Sequence, residues 1–364
     1  MIGVVLEIKN ISIIGLGLIG GSIAKAIKKS SYNFVVSAFD KPEVLSKAFN
    51  ENIINSKLNS IEESLNSDLI FLCLPVAKSL EVFDNIAPKL RENTILTDVC
   101  SVKNVFKEKW DKIKSNGIYI GGHPMTGKEK GGFDNSDSLL FENSVYILTE
   151  NENDNPLFAD LQKIITSFGS NILHIPAKQH DVISASISHL PQLVSVALVN
   201  AASLKTDSYN FLDLAAGGFR DMTRIASSDF TIWESIIANN KSQILTALDK
   251  FLYDLSLLSN YITNDNYKAI ESYFENARIH RDEVPQKTKG FLHPLFDLFV
   301  FVTDNPGAIS KISTALFEAG INIKDMELLK IREGAGGTFR LSFESSEIVE
   351  KASNVLKNIG FETA

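Results

Sequence analysis

The sequence predicts an α/β domain built on a parallel sheet, then an all-helical domain, then a small α+β domain. Three observations predict this order. An apolar, β-branched run at residues 11–14 enters a glycine turn and leaves it as a helical pattern. Strand and helix patterns alternate up to Pro176 and then give way to helical patterns alone. After residue 296 the order becomes β-α-β-β-α. Alternation of the first kind implies a parallel sheet with helices on both faces.

The first element is the most informative. Residues 11–21 read ISIIGLGLIGG, placing Gly15, Gly17 and Gly20 in a G-x-G-x-x-G turn, with Leu18 and Ile19 opening the helix. Strand, glycine turn and helix in this order make the dinucleotide cradle of a Rossmann-type domain. The first glycine permits the tight turn, the second lets a pyrophosphate approach the backbone, and the third lets helix and strand pack closely. A second strand at 34–39 ends at Asp40, twenty residues after Gly20. A carboxylate there accepts hydrogen bonds from an adenosine ribose and repels a 2′-phosphate, which favours NAD over NADP.

Further apolar strands fall near 69–74, 94–98, 118–121 and 144–148, with helical patterns between most of them, as at 79–91 and 102–114. A polar turn at 151–156, a helix at 157–168 and a strand at 171–174 finish the nucleotide domain, residues 1–175. Pro176 suits the first turn of a helix that runs to Lys205, and further helices follow at about 230–239, 241–262 and 266–281. A long helix with few charges is buried in a bundle or at a subunit interface, so residues 176–282 read as a helical substrate and dimerisation domain. Residues 283–295, with two prolines, a glycine and several charges, read as a linker. Residues 296–364 then hold a strand (297–303), a helix (308–319), a strand pair (321–332 and 337–343), a helix (346–358) and a short strand (361–364), a ferredoxin-like layout.

Composition bounds the function. The 364 residues are 44% hydrophobic and 22% charged, which fits a globular chain of two or three domains. A net charge of −8 argues against a nucleic-acid partner. No stretch reads as long and apolar enough to span a bilayer, and no basic segment precedes the first apolar run, so neither a membrane nor a signal peptide is expected. Cys73 and Cys100 fall at strand ends and read as buried free thiols of a reducing, cytoplasmic compartment, outside any metal-ligand pattern.

Four segments hold candidate chemistry. His123, in GGHPMTGKEKGG, follows a strand at the C-terminal edge of the sheet, where open α/β folds bind ligands, and imidazole takes a proton near neutral pH. Ser101, in DVCSVK, lies at the same edge and is a good helix N-cap, a role compatible with orienting a histidine. Arg220 and Arg224, in GGFRDMTRIA, are four apart beside two glycines, which suits bidentate binding of carboxylates. His189 lies in SHLPQ, where Pro191 kinks the long helix. His174, His180, His280 and His293 lack a supporting pattern.

Together GLGLIGG, DVCSVK, GGHPMTGKEKGG, SHLPQ and GGFRDMTRIA resemble the prephenate dehydrogenase family, and VTDNPGAI with LFEAGINI resembles an ACT domain. The resemblance implies oxidation of prephenate by NAD. Hydride leaves the hydroxyl-bearing ring carbon, the ring carboxylate departs as CO2, and 4-hydroxyphenylpyruvate forms. It implies that His123 accepts the hydroxyl proton, that Ser101 orients His123 and touches the same hydroxyl, and that Arg224 binds a substrate carboxylate. It places Arg220 at the pocket mouth, Glu129 and Asp221 at the entrance, and His189 along the pocket. Gln192 departs from the pattern, since many members have a second histidine there, and this leaves open prephenate, its amino counterpart arogenate, or both. In the tail, Asp304, Asn305, Pro306, Gly307 and Asn322 would contact an amino-acid effector between two such domains, tyrosine by implication, or the tail only dimerises. Two rivals remain. A β-hydroxy-acid dehydrogenase lacks its catalytic lysine here. A silent NAD and amino-acid sensor has no need of Ser101, His123 and Arg224 together.

Overall fold

The computed structural model describes residues 6–128, 130–149, 155–206, 209–283, 295–303, 305–332 and 336–363. Glu129, Asp304, most of the expected linker and the turns expected around 151–154 and 333–335 lie outside them. The chain forms two compact units, residues 1–281 and 282–364.

The first unit begins with β1 (Asn10–Ile14), α1 (Leu18–Lys29), β2 (Val35–Phe39), α2 (Pro42–Asn50) and β3 (Ser56–Lys57). It continues through β4 (Leu69–Leu72), α3 (Val76–Ile86), β5 (Ile95–Asp98), α4 (Asn104–Trp110) and β6 (Ile118–Tyr119). These six strands pair in parallel in the order β3-β2-β1-β4-β5-β6. The order reverses between β1 and β4, the crevice where such sheets bind dinucleotides. Both faces are covered, as the continuous apolar strands require. On one face Ile23, Ala24 and Ile27 of α1 share a core with Leu161, Ile164 and Ile165 from residues 156–167. On the other, Val82, Phe83 and Ile86 of α3 pack with Phe106, Tyr119 and, from residues 230–239, Ile236.

The strand expected at 144–148 does not join this sheet. After β6 the chain forms β7 (Gly122–Pro124), β8 (Val145–Leu148), α5 (Pro156–Ser167) and β9 (Asn171–His174), and the three strands make a separate sheet in that order. Gly121 and Gly122 bring the chain close over the end of β5 just before β7. A Cβ on Gly122 would meet the Asp98 carbonyl oxygen at 2.7 Å, and one on Gly121 the Thr149 hydroxyl at 2.8 Å. At Gly122 the near atom is backbone, so the close approach of β7 to the end of β5 needs a glycine there.

Helices complete the unit: α6 (Ala177–Ser184), a π-helical turn (Ala185–His189), α7 (Leu190–Ala202), α8 (Gly217–Thr223), a 3-10 turn (Arg224–Ser227), α9 (Phe230–Asn239), α10 (Lys241–Thr263) and α11 (Tyr267–Glu283). The continuous helix expected from Pro176 is interrupted by the π turn, which accommodates Pro191, a residue with no N–H for the preceding turn. Contrary to expectation, Ala177–Ala202 is long and apolar enough to cross a membrane by length and composition alone. It nonetheless buries His180, Asp181, His189 and Gln192 in protein hydrogen bonds.

The second unit holds β10 (Phe296–Val302), α12 (Ala308–Glu318), β11 (Asp325–Arg332), β12 (Gly336–Phe343), α13 (Ser346–Asn358) and β13 (Glu362–Thr363). The sheet order is β11-β12-β10-β13, and every neighbouring pair is antiparallel, a split β-α-β arrangement. Residues 321–324, expected to open a strand, lie outside it. Ile321 and Ile323 pack against the core instead, so Asn322 sits in a loop before β11.

The glycine turn gives a test of this packing. A Cβ on Gly20 would lie 1.9 Å from the Gly15 carbonyl oxygen, whereas one on Gly17 meets nothing within 4 Å. Gly20→Ala should therefore destabilise the protein by about 1–3 kcal/mol, and Gly17→Ala by less than about 1 kcal/mol. Denaturant midpoints of the two variants, equal to each other, would refute the difference.

Candidate active site

The dinucleotide cradle is formed in the backbone. Gly15 takes φ +96°, which its neighbours enforce, since a Cβ there would meet the Cys73 carbonyl oxygen at 2.6 Å. Gly17 is the N-cap residue of α1, and no side chain caps the helix or places an acid in its first turn. Its N-terminus is thus electropositive and, above Gly17, open to a phosphate. Asp40 ends β2 beside the turn, where its carboxylate accepts from the Leu16 N–H at 2.5 Å and from the Lys41 N–H at 2.6 Å. These residues fit a dinucleotide: an open glycine, a free helix terminus and a carboxylate just after the second strand, beside the turn.

A buried polar network lies at the C-terminal edge of β5. Asp98 pairs with the fully buried Lys103 and accepts from the Tyr119 hydroxyl at 2.7 Å and the Cys100 N–H at 2.8 Å. Burial pushes the Cys100 thiol up to about 12 and raises the Cys73 thiol as well, so both stay protonated. The sequence offers Ser101 as cap of the next helix. The carboxylate of Asp181 does this instead, accepting from the Lys103 N–H at 2.7 Å and the Asn104 N–H at 2.9 Å.

His123 stands on β7, where the glycine pair turns it toward this network. Its Nδ1 is 2.8 Å from Nε2 of His180, and Nδ1 of His180 is 2.8 Å from the Asp181 carboxylate. Ser184 Oγ lies 3.3 Å from the same Nε2. The ring that meets His123 in a hydrogen bond is therefore that of His180. Among the described residues Ser101 makes no hydrogen bond to His123. Spacing from Pro176 gives no signal for His180. Only the fold brings α6 against β7. Burial chiefly, with the neighbouring His180, Lys103 and His189, holds His123 well below the ordinary imidazole range. Burial also lowers His180, against the opposing pull of Asp181.

In the helical part, His189 is buried in the π turn and packs edge-on against Trp233. The Asn240 side-chain amide donates to the Asp181 carbonyl at 2.8 Å and to His189 Nδ1 at 3.3 Å. His189 therefore carries its proton on Nε2, a buried donor with no partner among the described residues. Burial first of all lowers its pKa to about 4. Gln192 is already engaged: its Nε2 donates to the Ile225 carbonyl at 2.9 Å, and its Oε1 lies 3.5 Å from the Ser228 hydroxyl. It ties down the turn that begins at Arg224. Arg220, Asp221 and Arg224 are exposed, on α8 and that turn.

In the second unit, Gly307 takes φ +90° as N-cap of α12. A cavity of about 460 Å³ opens beside it, lined by Thr303, Asn305, Gly307, Ser310, Leu328 and Phe339 among others.

A Rossmann-type cradle and a half-buried imidazole held below its ordinary pKa range, both in the first unit, are the parts a dinucleotide-dependent dehydrogenase needs. Known proteins narrow this class. Residues 23–174 match the family model "Prephenate dehydrogenase, nucleotide-binding domain", and residues 176–276 match "Prephenate dehydrogenase, dimerization domain". The chain is 31% identical to the prephenate dehydrogenase of Bacillus subtilis over 96% of this chain and 95% of that one. It is 33% identical to that of Lactococcus lactis over 96% and 98%. The crystal structure of prephenate dehydrogenase from A. aeolicus, in complex with hydroxyphenyl propionate and NAD+, superposes with a TM-score of 0.69 at 29% identity, covering 77% of this chain and 99% of that one. The chain belongs to the prephenate dehydrogenase family and is an oxidoreductase.

Three neutral imidazoles in one network predict a pH effect on stability. Their folded pKa values lie below the unfolded value of about 6.5. Unfolding therefore takes up protons in this window. The stability they contribute is intact above about pH 6.5 and is lost as pH falls toward about 4. Denaturation midpoints across that range should fall with acidification, and His189→Asn should lessen the fall. An identical slope in the variant would exclude His189 from it.

Proposed function

We propose that this protein catalyses the NAD-dependent oxidative decarboxylation of prephenate to 4-hydroxyphenylpyruvate, with His123 as the base. The observation that carries this reading is the neutral imidazole of His123, held at the sheet edge in the same unit as an open glycine cradle. Gly15, Gly17, Leu18, Ile19 and Gly20 would hold the pyrophosphate and Asp40 the ribose. NAD, when bound, supplies the hydride acceptor. His123 takes the proton of the ring hydroxyl, and desolvation keeps it unprotonated and ready at neutral pH. Arg224 and Arg220 pair with the substrate's carboxylates. His189 donates from Nε2 to an acceptor on the substrate side chain. Ser101 touches the ring hydroxyl, and Glu129 and Asp221 stand at the entrance.

A second reading, arogenate as substrate, is left open by Gln192, which stands where many members have histidine. In the proposed division, residues 1–175 bind NAD, 176–282 form the substrate and dimerisation domain, 283–295 link, and 296–364 form an ACT domain. Exposed Leu252, Tyr253, Ile262 and Phe274 on α10 and α11 supply apolar area for a homodimer. Tyrosine is the proposed effector at Asp304–Gly307 and Asn322, supported by the cavity beside Asn305 and Gly307. The enzyme is placed in the cytoplasm.

NADH formation with prephenate and with arogenate, each with and without tyrosine, tests the whole reading. Activity on prephenate is expected, inhibited by tyrosine in the full chain and not in a chain ending at Pro285. No activity on either substrate would overturn it, and equal inhibition of both chains would remove the effector from the tail. His123→Asn should lower kcat by about 10²–10⁴-fold with NAD affinity nearly unchanged. Wild-type turnover would remove His123 from the role of base.

A further inference from the structure

We propose that His180 and Asp181 are positioning residues that fix the proton state of His123, leaving its Nε2 as the acceptor. This rests on the reading of His123 as the base.

Donors and acceptors along the network decide where each proton lies. The Asp181 carboxylate only accepts, and it already takes the Lys103 and Asn104 N–H groups at 2.7 and 2.9 Å. Its contact with His180 Nδ1 at 2.8 Å therefore needs the proton on that nitrogen. His180 Nε2 is then a bare lone pair. His123 Nδ1, 2.8 Å away, must donate to it, because two lone pairs cannot face each other at that distance. This leaves the second nitrogen of His123 unprotonated. The preference propagates along two rings from one carboxylate, which a helix N-terminus holds in place. When His123 takes a proton, its Nδ1–H bond to His180 strengthens, and the carboxylate behind His180 offsets the new charge, as in other carboxylate-oriented histidine bases.

The surroundings are consistent with this direction. The charged and titratable groups acting on the two rings are Lys103 and Asp98 from β5 and the segment after it, His189 from the π turn, and Asp181 itself. Lys103 is neutralised by Asp98, and His189 is neutral at pH 7. The net charge left to answer an imidazolium at His123 is that of Asp181.

The test uses the full chain and the prephenate assay, with His180→Leu, His180→Gln and His123→Asn. His180→Leu removes the acceptor for Nδ1–H, so the wrong tautomer is populated and the imidazolium loses its partner. A fall in kcat of about 10–100-fold is expected, with KM for the substrate within about twofold. The acid limb of the pH profile should move to lower pH. His180→Gln, whose side-chain oxygen can accept from Nδ1–H, should restore most of kcat and return the limb toward its wild-type position. If His180→Leu does not fold, His180→Asn, too short to reach His123, takes its place with the same expectation. An unmoved acid limb in the Leu or Asn variant, or a Gln variant no better than they are, would overturn the inference. Wild-type turnover in His123→Asn would instead overturn the reading of the base on which it rests.

Discussion

The carboxylate of Asp181 joins the two halves of the first unit. It accepts the two N–H groups that open α4, from the nucleotide part, and it accepts from His180 on its own helix. Its backbone carbonyl receives Asn240, which also faces His189. A buried carboxylate is tolerated only when its lone pairs are filled, and here they are filled by donors from both halves. Removing one of the carboxylate's donors leaves a buried charge with an unfilled acceptor, so the relative placement of β7, α4 and α6 is tightly constrained. His123 inherits that placement, because it is tied to the carboxylate through a single ring.

Next to it, a second buried charge is handled differently. Asp98 and Lys103 neutralise each other with no exposure, and the Tyr119 hydroxyl and Cys100 N–H fill the remaining positions around the carboxylate. Breaking such a pair by removing one partner costs about 3–5 kcal/mol. Together the two carboxylates tie the C-terminal end of β5, α4 and α6 into one hydrogen-bonded frame.

The nucleotide half was legible in the sequence because its signals are local. A glycine turn, an apolar strand and an acid at the end of the next strand are read along one short stretch, and they imply a parallel sheet, though not its strand order or the short edge strand β3. The split β-α-β order of the tail was readable for the same reason, since each element declares itself by its own periodicity. What could not be read is tertiary. Nothing in QHDVIS says that His180 meets a ring fifty-seven positions earlier in the chain. Ser101 has every property of a cap, yet the N–H groups are taken by an acid from another helix. The strand at 145–148 has the composition of a central strand, yet it pairs with β7 and β9 in a different sheet, a pairing its own residues do not announce.

Gln192 serves the framework before it serves any ligand. Both ends of its amide are engaged with the turn that begins at Arg224, one with the Ile225 carbonyl and one with the Ser228 hydroxyl. The side chain works as a strut between α7 and that turn. An exchange at this position is felt first as a shift in the footing of the arginine, a few residues away. On the proposed reading of Arg224 as a carboxylate partner, the length of this strut would set the reach of that arginine without itself touching a ligand.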